Sequence, residues 1–291
     1  MPSKLKKYFP WLLLAAIGCV GMFVWSAVFT IEAKQGKLLL HVFDVGQGDS
    51  LFIEGPNGNN VLIDGGPDDK VLAELGKTLP YWARSIDLVV LTHPHADHVD
   101  GLINVLKRYH VGMVLESDVN YPTPENDELH HVIQSKSIPD VVAARGEIVD
   151  LGEGAKLYVL APFRSFVSEN PTNVHDSMVV LKLAYASSSA MLMGDAEVPL
   201  EFQLIAAGDN LRADILKVGH HGSKTSSNEL FLEAVHPFFA AISVGAKNRY
   251  GHPTQGVLDR LHQLGIKIFR TDEDGEVTFV SDGGAFLSVV R

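Results

Sequence analysis

The 291 residues contain a single cysteine, Cys19. A disulfide within the chain is therefore excluded, and any metal site must draw on His, Asp, Glu or water. An excess of basic charge is also missing, because the formal net charge is −11. The first 36 residues hold Lys4, Lys6, Lys7 and Lys34 against one acid, Glu32, so the remainder is more acidic than the whole. Such a body does not suit a broad nucleic-acid platform, although bound metal ions can reverse the field locally. The phosphate-loop pattern GxxxxGK[ST] is absent. Gly46-Gln47-Gly48 precedes a strand pattern, not a helix, and reads as a tight turn, with Asp49 and Ser50 pinning it or bordering a site. Short-period repeats, low-complexity tracts and a Ser or Cys nucleophile beside a base are likewise lacking. What remains is 46% apolar residues with mixed charge, enough for a substantial core in one large domain or two small ones.

Long apolar runs are rare, with one exception. KLKKYFPWLLLAAIGCVGMFVWSAVFTI has a basic start and then no charge from Tyr8 to Ile31. At about 1.5 Å per residue the run gives roughly 36 Å of helix, enough to cross a bilayer. The lysines favour a cytoplasmic N-terminus and an extracytoplasmic remainder, a single-pass membrane protein. A cleaved signal peptide, hence secretion, and a lipoprotein with Cys19 at its AIGC are the alternatives. Residues 1–36 are thus expected to be lysines, anchor and joint, and residues 37–291 the folded domain.

Within that domain KLLLHVFDV, SLFIE and NVLIDGG read as strands separated by turns. Residues 70–83 read as helix, and IDLVVLT as a strand buried on both faces. HVDGLINVLKRY sets Val99, Leu102, Ile103 and Leu106 on one helical face. Residues 117–145 read as a partly helical surface excursion. Strands resume at EIVDL, KLYVLAP, SMVVLKLAY and SAMLMGD. A helix near 198–207 follows, then the strand ADILKVG. Helices at NELFLEAV and TQGVLDRLHQLG flank the strand FFAAISVG, and KIFRT, GEVTFV and AFLSVV close the chain. Strands mixed with helices throughout predict an α/β sandwich. NVLIDGG and AMLMGDA share an apolar strand ending in Asp beside Gly, which hints at a duplicated half.

The chemistry concentrates in LTHPHADHVDG, where His93, His95, Asp97 and His98 fall within six positions at a strand tip that runs into a helix. Four side chains of one tight loop do not converge easily on one ion. Dividing them is easier: His93 and His95 toward one ion, Asp97 and His98 toward a second, at a two-metal spacing of roughly 3.5–4 Å. Asp195, ending the strand AMLMGD, is the natural bridge.

These segments carry a resemblance. The HxHxDH pattern resembles that of the metallo-β-lactamase fold superfamily of metallo-hydrolases. FDVGQGDSLFIE, LIDGG, THPHADHVDG, LMGDAE, DILKVGHHGSKTSS and NRYGHP are most similar to the soluble domain of the competence protein ComEC family, from about residue 38 to 285. The resemblance implies an αββα sandwich of two similar halves with metals at one edge between the sheets. It implies ligand roles for His93, His95, Asp97, His98 and Asp195, and for one histidine of HHGS. ComEC proteins also carry a multi-helix channel part, whereas this chain has room for only one span, so at most the hydrolase role carries over, and a separate channel protein is a candidate partner.

The superfamily pattern expects another histidine before Asp195, and His175 fits by position, with Asp176 or Asn173 as substitutes. His220 and His221 stay open, because adjacent residues leaving a strand point opposite ways. One should bind metal while the other faces substrate or holds the loop. Asp64 is expected to bond a ligand loop or imidazole from behind. His252 of YGHP is expected to face the reacting group or order its loop. Ser223 and Lys224, with Thr225 and Ser226, could hold a phosphate. His41, His110, His130, His131, His236 and His262 lack partner spacing and default to structure or surface.

The expected activity is a dinuclear-metal hydrolase that uses metal-bound hydroxide, with Asp97 and His252 as catalytic candidates. Zn²⁺ is favoured, and an N/O ligand set also admits Mn²⁺ or Fe. A phosphodiesterase or nuclease acting on DNA comes first. A small-substrate hydrolase of a phosphocholine or teichoic-acid-type diester, or of a lactone, comes second. A non-catalytic DNA-uptake accessory comes third.

Overall fold

Alternating side chains decide which layer each strand faces. Leu38, Leu40 and Val42 of β1 (Leu38–Val42), Leu51 and Ile53 of β2 (Leu51–Glu54), and Val61 and Ile63 of β3 (Asn60–Ile63) all enter one core, while Phe52 and Leu62 enter another. In the computed structural model the backbone is described for residues 3–290. Side chains are described for the same residues except 3–7, 23–24, 26–34 and 288–290.

The first half continues with α2 (Lys70–Thr78), β4 (Ser85–Ile86), β5 (Leu88–Val90), α3 (Ala96–Arg108), β6 (His110–Val111), β7 (Val114–Glu116), α4 (Pro124–Ser135) and β8 (Asp140–Val142), after an N-terminal α1 (Ser3–Lys34). The second half holds β9 (Ile148–Gly152), β10 (Ala155–Ala161), β11 (Val180–Tyr185), β12 (Ser188–Leu192), α5 (Val198–Ala206) and β13 (Ile215–Lys217). It goes on through α6 (Glu229–Val235), β14 (Phe239–Ile242), α7 (Gln255–Gln263), β15 (Lys267–Arg270) and α8 (Thr271–Asp274). β16 (Val277–Ser281) and β17 (Leu287–Val290) end it.

One sheet runs β17-β16-β1-β2-β3-β5-β7-β8, the other β15-β14-β13-β12-β11-β10-β9, and β4 pairs with β6 apart from both. β3 pairs antiparallel with β2 and parallel with β5. β12 likewise pairs antiparallel with β11 and parallel with β13. The strands of NVLIDGG and AMLMGDA thus hold equivalent places in the two sheets, in line with the expected duplication. The sheets bury Leu40, Ile53, Leu157, Leu181, Leu192 and Phe279 between them. Helices α2, α3 and α4 cover one outer face, and α5, α6 and α7 the other. The result is the expected αββα sandwich.

Helix α3 buries Val99, Leu102, Val105 and Leu106 fully. Each such side chain is worth about 1.5–3 kcal/mol. The apolar stripe therefore fixes the helix that carries Asp97 and His98. Two expectations need revision. The helix at 70–83 stops at Thr78, because Pro80 forces Leu79 into extended backbone. The supposed surface excursion contains α4, capped by Thr123 through a bond from the Asn126 N–H, and its Leu129, Val132 and Ile133 are buried against the first sheet.

The chain divides into one compact unit up to Gly36 and another from Lys37. Among the described residues no helix is long and apolar enough to cross a membrane. The side chains of α1 are described without a break only over residues 8–22. The expected anchor over residues 8–31, and with it the single-pass membrane topology and extracytoplasmic placement, is corrected accordingly. Side chains 23–24 and 26–31 of that run lie outside the described residues.

Candidate metal centre

Strand β5 delivers Thr92 and His93 to the edge of the first sheet, and α3 starts three residues later with His95 at its N-cap. Two backbone contacts hold this turn. The Gly65 N–H donates to the His98 carbonyl (2.8 Å) and the Gly101 N–H to the Gly66 carbonyl (3.0 Å). A Cβ on Gly101 would lie 1.9 Å from the Gly65 oxygen, so these glycines are required by close approach. Gly48 does the same from the GQG turn: its Cβ would meet the Asp97 carbonyl at 2.2 Å, and its φ is +145°.

Asp64 follows β3 with a left-handed φ of 57°. Its carboxylate accepts from the Thr92 N–H (2.8 Å) and hydroxyl (2.7 Å) and from His98 Nδ1 (2.8 Å). His98 Nε2 then lies 3.5 Å from Asp195 Oδ1. His93 Nε2 lies 2.9 Å from His95 Nδ1 and 3.9 Å from Asp195 Oδ2.

From the second sheet come Asp195 and the histidines after it. Asp195 is buried just past β12, beyond Gly194, whose Cβ would press on Met178 and Thr92. His220 and His221 follow β13, and both are left-handed (φ 48° and 52°). Such backbone costs about 1–3 kcal/mol per residue and persists where surroundings enforce it. The turn settles their directions. His221 is buried, donates Nδ1–H to the Ser243 carbonyl (3.0 Å), and places Nε2 3.4 Å from both Asp97 Oδ2 and Asp195 Oδ1. His220 lies 3.7 Å from Asp195 through Nε2 and 3.3 Å from Glu197 Oε1 through Nδ1.

His175 sits on a short 3₁₀ turn, where Asn173 accepts from its backbone N–H. Its ring is 5.2 Å from that of His93 and 5.0 Å from that of His95. His252 lies beside His220 (ring centroids 5.8 Å) and stacks on Tyr250. Ser223 bonds the Thr225 hydroxyl at 3.0 Å, and Lys224 is exposed.

Two ligand groups emerge. His93, His95, His175 and Asp195 present donor atoms all within 4.8 Å of one another, and so do Asp97, His98, Asp195 and His221. Asp195 belongs to both. His220 falls in neither but groups with His175 and Glu197. Among the described residues His98 Nε2, His175 Nε2, His221 Nε2 and Asp195 Oδ1 are buried without a partner at hydrogen-bond geometry. Orphaned buried atoms facing a common point, on a His/Asp donor set, are what a metal would satisfy. The cluster is suited to a dinuclear metal site.

Burial holds His93 well below the ordinary imidazole range and takes His95 down to about 4. Burial works the same way on His98 and His221, but the Asp195 charge, joined by Asp64 at one and Asp49 at the other, outweighs it. His98 is lifted well above the usual value and His221 to about 10. Asp195 is held well below the usual carboxylate range: burial would raise it, and the neighbouring His221 and His98 more than reverse that.

Three contributors escaped the sequence reading. Glu197 lies 3.6 Å from His175 Nδ1 and accepts from the Asn173 amide. Lys217 is fully buried at the end of β13 and donates to Asp49 Oδ2 (2.7 Å). Tyr121 sets its ring 5.6 Å from that of His95. Lys217 alone had left a signal, a lysine inside an apolar strand run. A further group, Glu116, His130 and Asp140, lies apart. Its imidazole is already engaged by the Asn126 carbonyl and by Glu116.

A family model described as the metallo-beta-lactamase superfamily matches residues 43–237. ComE operon protein 3 of Bacillus subtilis (strain 168) is 28% identical over 285 residues, covering 92% of this chain and 36% of that protein. Competence protein ComA of Neisseria gonorrhoeae is 29% identical over 275 residues, covering 93% and 35%. The chain thus spans about a third of the length of these relatives. The metallo-beta-lactamase fold protein YhfI from Bacillus subtilis superposes with a TM-score of 0.50 at 12% identity, covering 84% of this chain and 99% of that one, which speaks to fold alone.

Proposed function

The chain belongs to the metallo-β-lactamase superfamily, and from that premise we propose that it is a dinuclear metal-dependent phosphodiesterase with DNA as its leading substrate. The observation that carries the proposal is the pair of ligand groups sharing Asp195. His93, His95 and His175 would hold one ion, and Asp97, His98 and His221 the other, with Asp195 between them. The N/O donor set favours Zn²⁺ and also admits Mn²⁺ or Fe. Bound there, a pair of divalent ions supplies a water of lowered pKa and stabilises charge on a phosphoryl oxygen.

The chain's own residues do the rest. Asp64 and the Ser243 carbonyl each take the Nδ1–H of His98 and His221, so that each Nε2 faces inward and is the nitrogen that would give up its proton to a cation. Glu197 orients His220 from behind, so that its Nε2 meets the open side of the centre. His252 has a buried Nδ1 without a partner and stands next to His220, placed to hold or pass a proton at the leaving group. Lys224, Lys247, Arg249 and Tyr250 are exposed on the neighbouring turns. Cations with an exposed aromatic ring suit a phosphate backbone and its bases. The likeness to competence proteins supports DNA as the substrate.

The acidic charge of −11 favours the second reading, a small phosphodiester. Salt separates the two, because cleavage of DNA should fall steeply as salt rises while that of a small diester should not. The test loads the full chain with Zn²⁺ or Mn²⁺ and offers single-stranded DNA and bis-p-nitrophenyl phosphate. Cleavage that is lost in Asp97→Ala with the fold retained is expected. Two bound ions and no cleavage of either substrate would end the phosphodiesterase reading.

A further inference from the structure

Two conspicuous segments, GQGDS and the lysine of DILKVGHHGS, have no part in the two ligand groups that share Asp195, although Asp49 forms a separate close set with Asp64 and His98. The structure joins them. Lys217 closes β13 in the second sheet, yet its Nζ donates to Asp49 Oδ2 (2.7 Å) in the turn after β1 of the first sheet, and to its neighbour's carbonyl, Val218 (3.0 Å). Both side chains are almost wholly buried. A cation sealed in a parallel sheet is tolerated only with a close counter-charge. Asp49 is that counter-charge, and its remaining contacts all lead to one place. Its Oδ1 stands 3.3 Å from His221 Nδ1. Its backbone N–H reaches the Asp97 carbonyl (3.3 Å), and its own carbonyl accepts from the Gly66 N–H (2.8 Å). Gly48 lets this turn lie against Asp97 at all.

We infer that Lys217 and Asp49 are a positioning pair for the Asp97–His98–Asp195–His221 group. Lys217 pins the Asp49 carboxylate, whose other oxygen faces the His221 ring nitrogen as a counter-charge, while the Asp49 backbone N–H holds the Asp97 carbonyl, so one residue braces two members of the group, His221 by its charge and Asp97 by its backbone. The group of His93, His95 and His175 has no contact with either residue among the bonds and ion pairs described. The inference rests on reading the two groups as metal sites, but not on what substrate they act upon.

The test titrates Zn²⁺ into the metal-free full chain by calorimetry, with metal content measured independently. It compares the native chain with Asp49→Asn, Lys217→Met and the double variant Asp49→Asn/Lys217→Met, which removes both charges together and guards against a simple failure to fold. Two ions are expected in the native chain. Asp49→Asn and the double variant should retain one affinity and weaken the other by roughly 10–100-fold, as loss of an outer partner of a ligand does. Adding Asp49→Asn to His221→Ala should cost little beyond His221→Ala alone. Variants that keep both affinities, or lose both equally while folded, would overturn the inference, as would a native chain that binds one ion. Two bound ions with no diester cleavage would end the proposed activity and leave this pair standing. Cleavage with unchanged affinities in the variants would do the reverse.

Discussion

His98 and His221, in one ligand group, each direct Nδ1 at a fixed acceptor 2.8 or 3.0 Å away, whereas His175, in the other, has its Nδ1 3.6 Å from Glu197. Protonation runs the opposite way. The imidazoles of the tightly held group are lifted above the ordinary range, His221 to about 10, while His95 in the looser group is depressed to about 4. One group therefore has its imidazole directions fixed, and a cation entering it would have to displace protons. In the other, His175 is less firmly set, while His93 meets the Thr92 hydroxyl at 3.2 Å and His95 at 2.9 Å. Preorganisation and readiness are separate quantities, and this centre divides them between its two halves.

Asp195→Ala breaks the comparison outright, because both groups share that carboxylate. Neither ion should remain tightly bound, and diester hydrolysis should fall by on the order of 10³-fold or more, equivalent to several kcal/mol of lost charge stabilisation. Metal analysis beside initial rates checks this. A finer contrast comes from His221→Ala against His175→Ala. Each should leave one ion, but the first strands the Ser243 carbonyl and should cost the metal-free fold about 1–3 kcal/mol more in denaturant melts.

The smallest effect sharpens the comparison most. Groups with raised pKa are protonated at neutral pH and must lose the proton to bind metal. Filling the His98/His221 group should therefore release about two protons per ion, and filling the His93/His95 group about none from that pair. Calorimetry in buffers of different ionisation enthalpy reads the difference. Affinity at the first group should climb as pH rises toward about 10. The same sign governs the metal-free fold. The contribution of His221 to stability is complete below about 6.5 and is lost as pH rises through about 10.

Much of this centre could be read from residue spacing. HPHADH declares itself because three imidazoles and a carboxylate in six positions have no structural reason to be there. The division into two ligand groups follows from how little a tight loop can converge, and the strand-end Asp195 from its Gly neighbour. The choice between His220 and His221 could not be read, because it depends on two consecutive left-handed residues, and a strand rule says nothing about such a turn. Glu197 looked like any acid before a helix. Helix α4 reads as surface from sequence because Leu129, Val132 and Ile133 are scattered among polar residues. The apolar N-terminal run shows the opposite error. Its length and flanking lysines predict a span, and among the described residues no helix is long and apolar enough to cross a membrane.

The bond between Lys217 and Asp49 joins positions 168 apart, and each ligand group mixes residues before position 100 with residues beyond 174. During synthesis, HPHADH is exposed long before its partners exist. Contacts so distant in sequence form late, after the entropy of closing the intervening chain has been met. A first half on its own has only part of either ligand group and lacks the shared Asp195. A metal held there would therefore be captured tightly only on completed folding, and the stability it would add, growing with free ion over dissociation constant, would go only to chains that have docked their two sheets.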